Sequence, residues 1–283
     1  MRTLLICHEG ADLDREGLAR WLGSFSTFAG TVVIREPGGR MRKRIAREIT
    51  RVGLWRFLDV LAFRAYYALR QAGGDREWEA RELQRLRSWF PNRPEVPDVV
   101  VSSPNSAEAE AFIRERRPDL VVARCKTLLA ERIFSIPRLG TFVMHPGICP
   151  EYRNAHGCFW ALANGELDKV GMTLLRIDQG VDTGPVYGYF SYGYDEVSES
   201  HRVISQRVLF DNLEGVAAKL LEINEGRARR IDTFGRRSAA WGQPWLSTYL
   251  EWKRHARVRM AHRNAVSRNT LLRCPVKTMG EFK

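Results

Sequence analysis

His145 and Asp182 are the two residues whose type and setting could move a proton. His145 follows an apolar run and enters a Pro-Gly loop, in the stretch TFVMHPGICPEYRNAHG over residues 141–157. Asp182 lies in RIDQGVDTGPVYG over residues 176–188, a turn whose glycines let backbone approach a ligand closely. An imidazole near a carboxylate can be held protonated or oriented as a general base. Each residue alone also has a plainer use, the histidine as an interior packing group and the aspartate as turn chemistry. Val143, two residues before His145, can donate no hydrogen bond. Asn154 and His156 are the nearest polar side chains that follow in sequence.

Those residues need a frame that brings them together. Short, almost wholly apolar runs at 3–7, 31–34, 98–101, 119–123 and 140–144 read as buried strands. Helical spacing separates them, over 14–25 (Leu18, Trp21, Leu22 and Phe25 on one face), 106–116 and 127–134. Residues 41–72 read as one or two basic helices inserted between the second and third strands. The alternation of strand and helix with fully apolar strands implies a mostly parallel sheet covered on both faces. Catalytic groups in such sheets gather at the carboxyl ends of strands, where His145 stands. Beyond it, 159–162 is helical with Trp160 and Leu162 buried. Residues 171–177 and 186–192 read as antiparallel edge strands, and 198–225 as one long helix capped by Ser198 or Ser200 and closed by Gly226. No strand is followed by GxGxxG or GxxxxGK[ST], so neither a dinucleotide fingerprint nor a P-loop is supported.

The spacing of several motifs together carries more than any one of them. HPGICPEYRNAHGCFWALANGE, from residue 145, and VGMTLLRIDQGVDTGPV, from residue 170, resemble the formyltransferases that use 10-formyltetrahydrofolate. That family's pattern is a strand ending Asn-x-His, a loop ending in Pro, Tyr-Arg-Gly, a helix with Ala-Leu-x-Asn-Gly, then Gly-x-Thr and Asp-x-Gly-x-Asp-Thr-Gly. The match is dense over 140–188, looser back to residue 99, and reaches residue 1 in strand–helix order. The resemblance implies a Rossmann-like formyltransferase sheet over residues 1–226. It implies that an acceptor amine attacks the formyl carbon, with a tetrahedral intermediate whose oxygen takes hydrogen bonds from the His and the Asn. The Asp keeps the His cationic and helps move the amine proton. His145 and Asp182 take those two places. It further implies that Cys125, Lys126, Thr127 and Leu128, with Ile133 behind them, form one wall of a folate slot, and that Asp178, Gly180 and Val181 form the other. A flat pterin wants such an apolar slot with a few backbone partners.

Val143 stands where the family has Asn, and losing one oxyanion donor typically costs about 100- to 1000-fold in turnover. Three readings follow. Asn154, at the usual Gly of Tyr-Arg-Gly, or His156 takes over the lost contact. Alternatively the site works at a reduced rate. Or the chain binds folate or another ligand without transfer; hydrolysis of formyl-folate is a further alternative. Tyr152 and Arg153 are expected to brace the loop.

Composition bounds the rest. The chain has 283 residues, 44% of them hydrophobic, enough for a sizeable core. Five scattered cysteines without a CxxC pair suit a reducing, cytoplasmic setting and no structural zinc. Nothing resembles a signal peptide, and the aromatic-rich stretch 54–69 is interrupted by charges, so no transmembrane segment is expected. Residues 227–283 hold nearly all of the net charge of +12 and read as a basic, mainly helical extension rather than a barrel domain. That argues against a tRNA acceptor, makes nucleic acid an unlikely partner, and leaves a small amine, an amino sugar or a phosphorylated acceptor. The 41–72 helices could pack on the sheet, form a homodimer interface, or serve a membrane surface.

Overall fold

The computed structural model describes residues 1–36 and 49–273, with side chains as far as residue 265 at the C-terminal end. Strand β1 (Arg2–His8) is followed by a π-type turn (Leu13–Leu18), helix α1 (Ala19–Phe25) and strand β2 (Thr27–Ile34). Helices α2 (Leu54–Arg70) and α3 (Ala72–Trp89) precede β3 (Asp98–Val101). Then come α4 (Ala107–Arg116), β4 (Leu120–Arg124), α5 (Glu131–Phe134) and β5 (Gly140–His145). A short strand β6 (Arg153–Asn154) and helix α6 (Gly157–Ala163) lead to β7 (Met172–Arg176) and β8 (Val186–Phe190). The chain continues through α7 (His201–Phe210), α8 (Leu213–Asn224), β9 (Ala240–Trp241) and α9 (Leu246–Arg273).

Seven strands form one sheet in the order β3-β2-β1-β4-β5-β7-β8. The first five are parallel, and β7 runs antiparallel to both neighbours. The period-2 alternation of side chains sorts the core into two layers. Leu5, Cys7, Leu120, Val122, Phe142 and Met144 face α1, α6, α7, α8 and α9. Leu4, Ile6, Val32, Val121 and Ala123 face α4 and Ile133. Val143 packs on this second layer, and strand alternation puts the side chain of His145 on the same side. Burial on both faces explains why these strands read as continuous apolar runs.

Local signals account for several boundaries. Ser106 caps α4 by accepting from the Ala109 amide at 3.2 Å, and Arg117 closes it in the left-handed region (φ 46) before Pro118. Ser200 caps α7 by accepting from Val203 at 3.1 Å.

The structure departs from the sequence reading in three places. The single helix expected over 198–225 is two, broken at Asp211–Asn212. The helix expected over 127–134 is reduced to its last turn. Of the insertion expected over 41–72, residues 41–48 lie outside the described residues, and the helical part runs on to Trp89. Helix α3 is poor in apolar residues, with Leu86 its one fully buried anchor; it docks instead through buried charge. Asp75 accepts from Ser200 Oγ at 2.9 Å and Tyr67 OH at 2.8 Å, and Arg85 pairs with Asp211 at 2.8 Å. The basic extension packs on the sheet domain, with Tyr249 and Trp252 buried in the same core layer as α6 and α7.

Candidate active site

His145 is 5% exposed, and both ring nitrogens face oxygen. Nε2 lies 2.8 Å from the Tyr152 carbonyl, which can only accept, so Nε2 carries a proton. Nδ1 lies 3.3 Å from Asp182 Oδ2. The loop that curls over the ring is fixed from the neighbouring strand. Thr173, directly opposite His145 in the β5–β7 register, donates to the Gly147 carbonyl at 2.6 Å and accepts from the Cys149 amide at 2.9 Å. A Cβ on Gly147 would sit 2.5 Å from the Tyr152 carbonyl and 2.9 Å from His145 Nε2, so only glycine lets this backbone cover the imidazole. In the sequence Thr173 is only the end of the Gly-x-Thr motif; its place across from His145 becomes visible only once the strands are registered.

Asp182 occupies the left-handed region at φ 51. Its Oδ2 also accepts from the Asn154 amide at 2.8 Å, so one carboxylate oxygen bridges histidine and β6. The turn that presents it is built by Asp178, whose Oδ1 accepts from the Gly180 amide at 2.9 Å and the Thr183 hydroxyl at 2.7 Å. Gly184 is required: a Cβ there would lie 1.8 Å from the Arg176 carbonyl. Gly184→Ala is therefore expected to cost about 3 kcal/mol of stability, read as a lower urea midpoint, because backbone rather than a flexible side chain must yield.

Tyr152 and Arg153 brace the loop as expected, Arg153 by donating to the Val181 carbonyl at 2.8 Å. The rest of the bracing comes from the extension. Strand β9 pairs with β6, and the Arg153 amide donates to Ala239 at 3.0 Å. Trp241 stacks on Tyr152 and Trp160 with ring centroids 5.5 and 4.9 Å away, and buried Glu151 pairs with Arg236 at 2.7 Å. Asn154 and His156 both have positive φ, 72 and 59. The Asn154 side-chain amide donates to the Trp241 carbonyl at 2.6 Å, and the His156 ring lies 6.0 Å from that of His201. Burial pushes the His156 pKa down to about 4, leaving a neutral ring near neutral pH. Neither of these contacts is to Val143, whose methyls meet apolar neighbours of both the second core layer and the cluster around Cys149, Leu175 and Val186.

The two expected slot walls are neighbours. Gln179 donates to Glu131 at 3.0 Å, linking the 178–182 turn to α5. Half-buried Cys125, Val143 and Ile177 share one apolar layer, and Leu128 stands 63% exposed at its lip. Gly180 is exposed and Val181 half-buried on the opposite wall. Ile133 is buried in the core behind this surface. The Lys126 amide is already held by His8 Nε2 at 3.1 Å and the Leu128 carbonyl by Asn105 at 2.9 Å, so those backbone groups brace the segment. Burial raises the Cys125 thiol to about 11, which leaves it a poor nucleophile near neutral pH. Among the described residues no group of three or more His, Cys, Asp or Glu could hold a metal ion.

A cleft of about 370 Å³ opens beside this wall, lined by His8, Glu9, Ile34, Arg35, Glu36 and Lys126. It sits at the carboxyl ends of β1, β2 and β4. The connection from β1 leads outward to β2 and that from β4 leads to β5 on the other side, so this is the point of strand-order reversal where open α/β sheets bind ligands. A larger cavity of about 540 Å³, between the α2–α3 junction, the start of α7 and α9, shares no lining residue with the His145–Asp182 pair.

These features define a doubly wound α/β protein with a histidine–carboxylate pair at the carboxyl edge of its sheet. Residues 96–218, which contain both members of the pair, match the family described as formyl transferase. The methionyl-tRNA formyltransferase of Thermotoga maritima is 31% identical over 138 residues, 46% of this chain and 44% of that protein. That of Pelobacter propionicus is 33% identical over 139 residues, 46% of this chain and 41% of that one. The chain thus spans less than half the length of these curated relatives. The fold is shared with a solved sugar N-formyltransferase from Shewanella (TM-score 0.51, 13% identity, covering 86% of this chain and 76% of that one). It is shared equally with a phosphoribosylglycinamide formyltransferase from Anaplasma phagocytophilum (TM-score 0.51, 14% identity, 86% and 99%).

Proposed function

We propose that the chain transfers a formyl group from 10-formyltetrahydrofolate to the primary amine of a small acceptor, an amino sugar or a phosphorylated amine. The observation that carries this is the meeting of His145 and Asp182 at 3.3 Å at the carboxyl end of β5, inside the stretch that matches the family. The apolar layer of Cys125, Val143 and Ile177, lipped by Leu128 and faced by the 178–182 turn, suits a flat pterin. Bound there, the folate supplies an activated formyl carbon that the acceptor nitrogen attacks. Asp182 takes the proton that the amine loses and passes it to the folate nitrogen as that nitrogen's bond to the formyl carbon breaks, leaving a formamide and free tetrahydrofolate. With Nε2–H on the Tyr152 carbonyl, His145 holds that carboxylate only by donating Nδ1–H as well, as an imidazolium, and in that form the ring orients and stabilises its partner. The oxyanion contact that the resemblance gives to His145 requires Nε2 to leave that carbonyl.

The acceptor enters through the cleft at the strand reversal, where exposed Lys126 offers a cation to an anionic group; Arg35 in the same cleft is held by Glu9 at 2.6 Å. Incubating the protein with 10-formyltetrahydrofolate and a panel of nucleotide amino sugars and phosphorylated amines should give one product carrying an added formyl group. Formate release without an acceptor would mean a hydrolase. Val143 favours a second reading, a folate-binding protein without transfer; binding with no product from any amine would support it.

A further inference from the structure

Helix α2 is apolar on two opposite faces. Phe57, Val60 and Phe63 are buried against the core. At 100° per residue, positions 54, 58, 61, 65 and 69 fall within about 80° of one another on the other side of the helix. That side carries Leu54, Leu58, Leu61 and Leu69 with Trp55 at its margin; Trp55 is 82% and Leu69 83% exposed. The stripe runs along the helix for about 22 Å. An ordinary surface helix keeps its outer face polar, and a contiguous apolar stripe marks an interaction site.

Charge selects the partner. On the same wheel exposed Arg64 lies about 60° beyond Leu61 on one side and exposed Arg70 about 60° beyond Trp55 on the other. Helix α9 packs beside α2 through Tyr249, whose ring lies 5.2 Å from Phe63. It places exposed Arg257 with Arg70 around the same cavity. A second copy docking stripe to stripe would bring these cations against their own symmetry mates in a chain whose net charge is +12. An anionic phospholipid surface takes the apolar stripe into the acyl boundary and the arginines among its headgroups. We infer that the outer face of α2 is a docking surface for an anionic lipid bilayer, with the helix lying in the plane of the interface. No described helix is long and apolar enough to cross a membrane, which suits surface binding.

Vesicle flotation tests this. The full chain should rise with phosphatidylcholine–phosphatidylglycerol vesicles at low ionic strength, less as salt is added, and stay behind with phosphatidylcholine alone. Trp55→Ser combined with Leu69→Gln should weaken binding about tenfold or more, and Arg64→Gln or Arg70→Gln about fivefold each. All four side chains are exposed, so the thermal midpoint should not move. Failure to float with the anionic vesicles would overturn the inference. So would equal, salt-independent flotation with neutral ones, or reversible dimerisation in the ultracentrifuge that Trp55→Ser with Leu69→Gln abolishes.

Discussion

Replacing Asp182 with Asn is expected to lower the turnover of formyl transfer about 10³-fold while KM changes by only a few-fold. The substitution keeps shape and removes charge. Its amide can still accept from the Asn154 backbone N–H, the contact now made at 2.8 Å, so the turn should keep its place. It cannot take a proton from the attacking amine or stabilise a cationic His145. Positioned acid–base groups contribute typically about 10²–10⁴-fold, which sets the size of the loss. The effect belongs in kcat because neither slot wall depends on the carboxylate charge: Gln179 bridges to Glu131, and Asp178 and Arg153 hold the turn. Asp182→Ala should add a stability cost, since the Asn154 amide and His145 Nδ1 both lose their acceptor. If Asp182→Asn kept a tenth of wild-type turnover, Asp182 would lie outside the proton path and the proposed chemistry would fall with it.

The parts of this site that could be read from sequence are those with a local signature. Strands β1, β4 and β5 are buried on both faces and so appear as unbroken apolar runs. The 178–184 turn declares itself by glycines, one of which meets a carbonyl that no Cβ could approach. The His145–Asp182 pairing came from motif spacing and not from either residue alone. What escaped was held together at long range. Helix α3 docks by buried carboxylates and arginines, which leave no 3.6-residue apolar period. The break at Asp211–Asn212 is hidden because the apolar period runs through it. The β6–β9 ladder is two residues long, and its partners, Asn154 and Trp241, lie far apart in the chain, so no periodicity announces it. Asn154 drew attention as a replacement donor, yet its backbone at φ 72 and its bond to the Trp241 carbonyl give it a structural task. Asparagine tolerates that conformation better than most side chains.

The same geometry makes Val143 the residue whose change should raise activity most. Val143 and His145 are alternate residues on one strand, so their side chains leave the sheet on the same side about 7 Å apart along it. The Asn154 amide is engaged elsewhere, and the ring of His156 packs near that of His201. Near His145, the position that could add a donor without rebuilding the backbone is therefore 143. Val143→Asn is expected to raise kcat for formyl transfer by about 100-fold, the lower end of what one oxyanion donor is worth. The gain has a cost. The new amide displaces methyls from the layer shared with Cys125 and Ile177, and burying it without a full set of partners should lower stability by about 1–3 kcal/mol. A faster and less stable enzyme would identify the native site as one running short of a donor. A slower one would mean that the valine methyls themselves line the formyl pocket, and that the oxygen is held by another group, with His145 Nε2 the nearest once it leaves the Tyr152 carbonyl. Combining Val143→Asn with Asp182→Asn separates the two: a donor acting on the oxygen should still accelerate the crippled enzyme, because charge on that oxygen and the proton on the amine are handled by different groups.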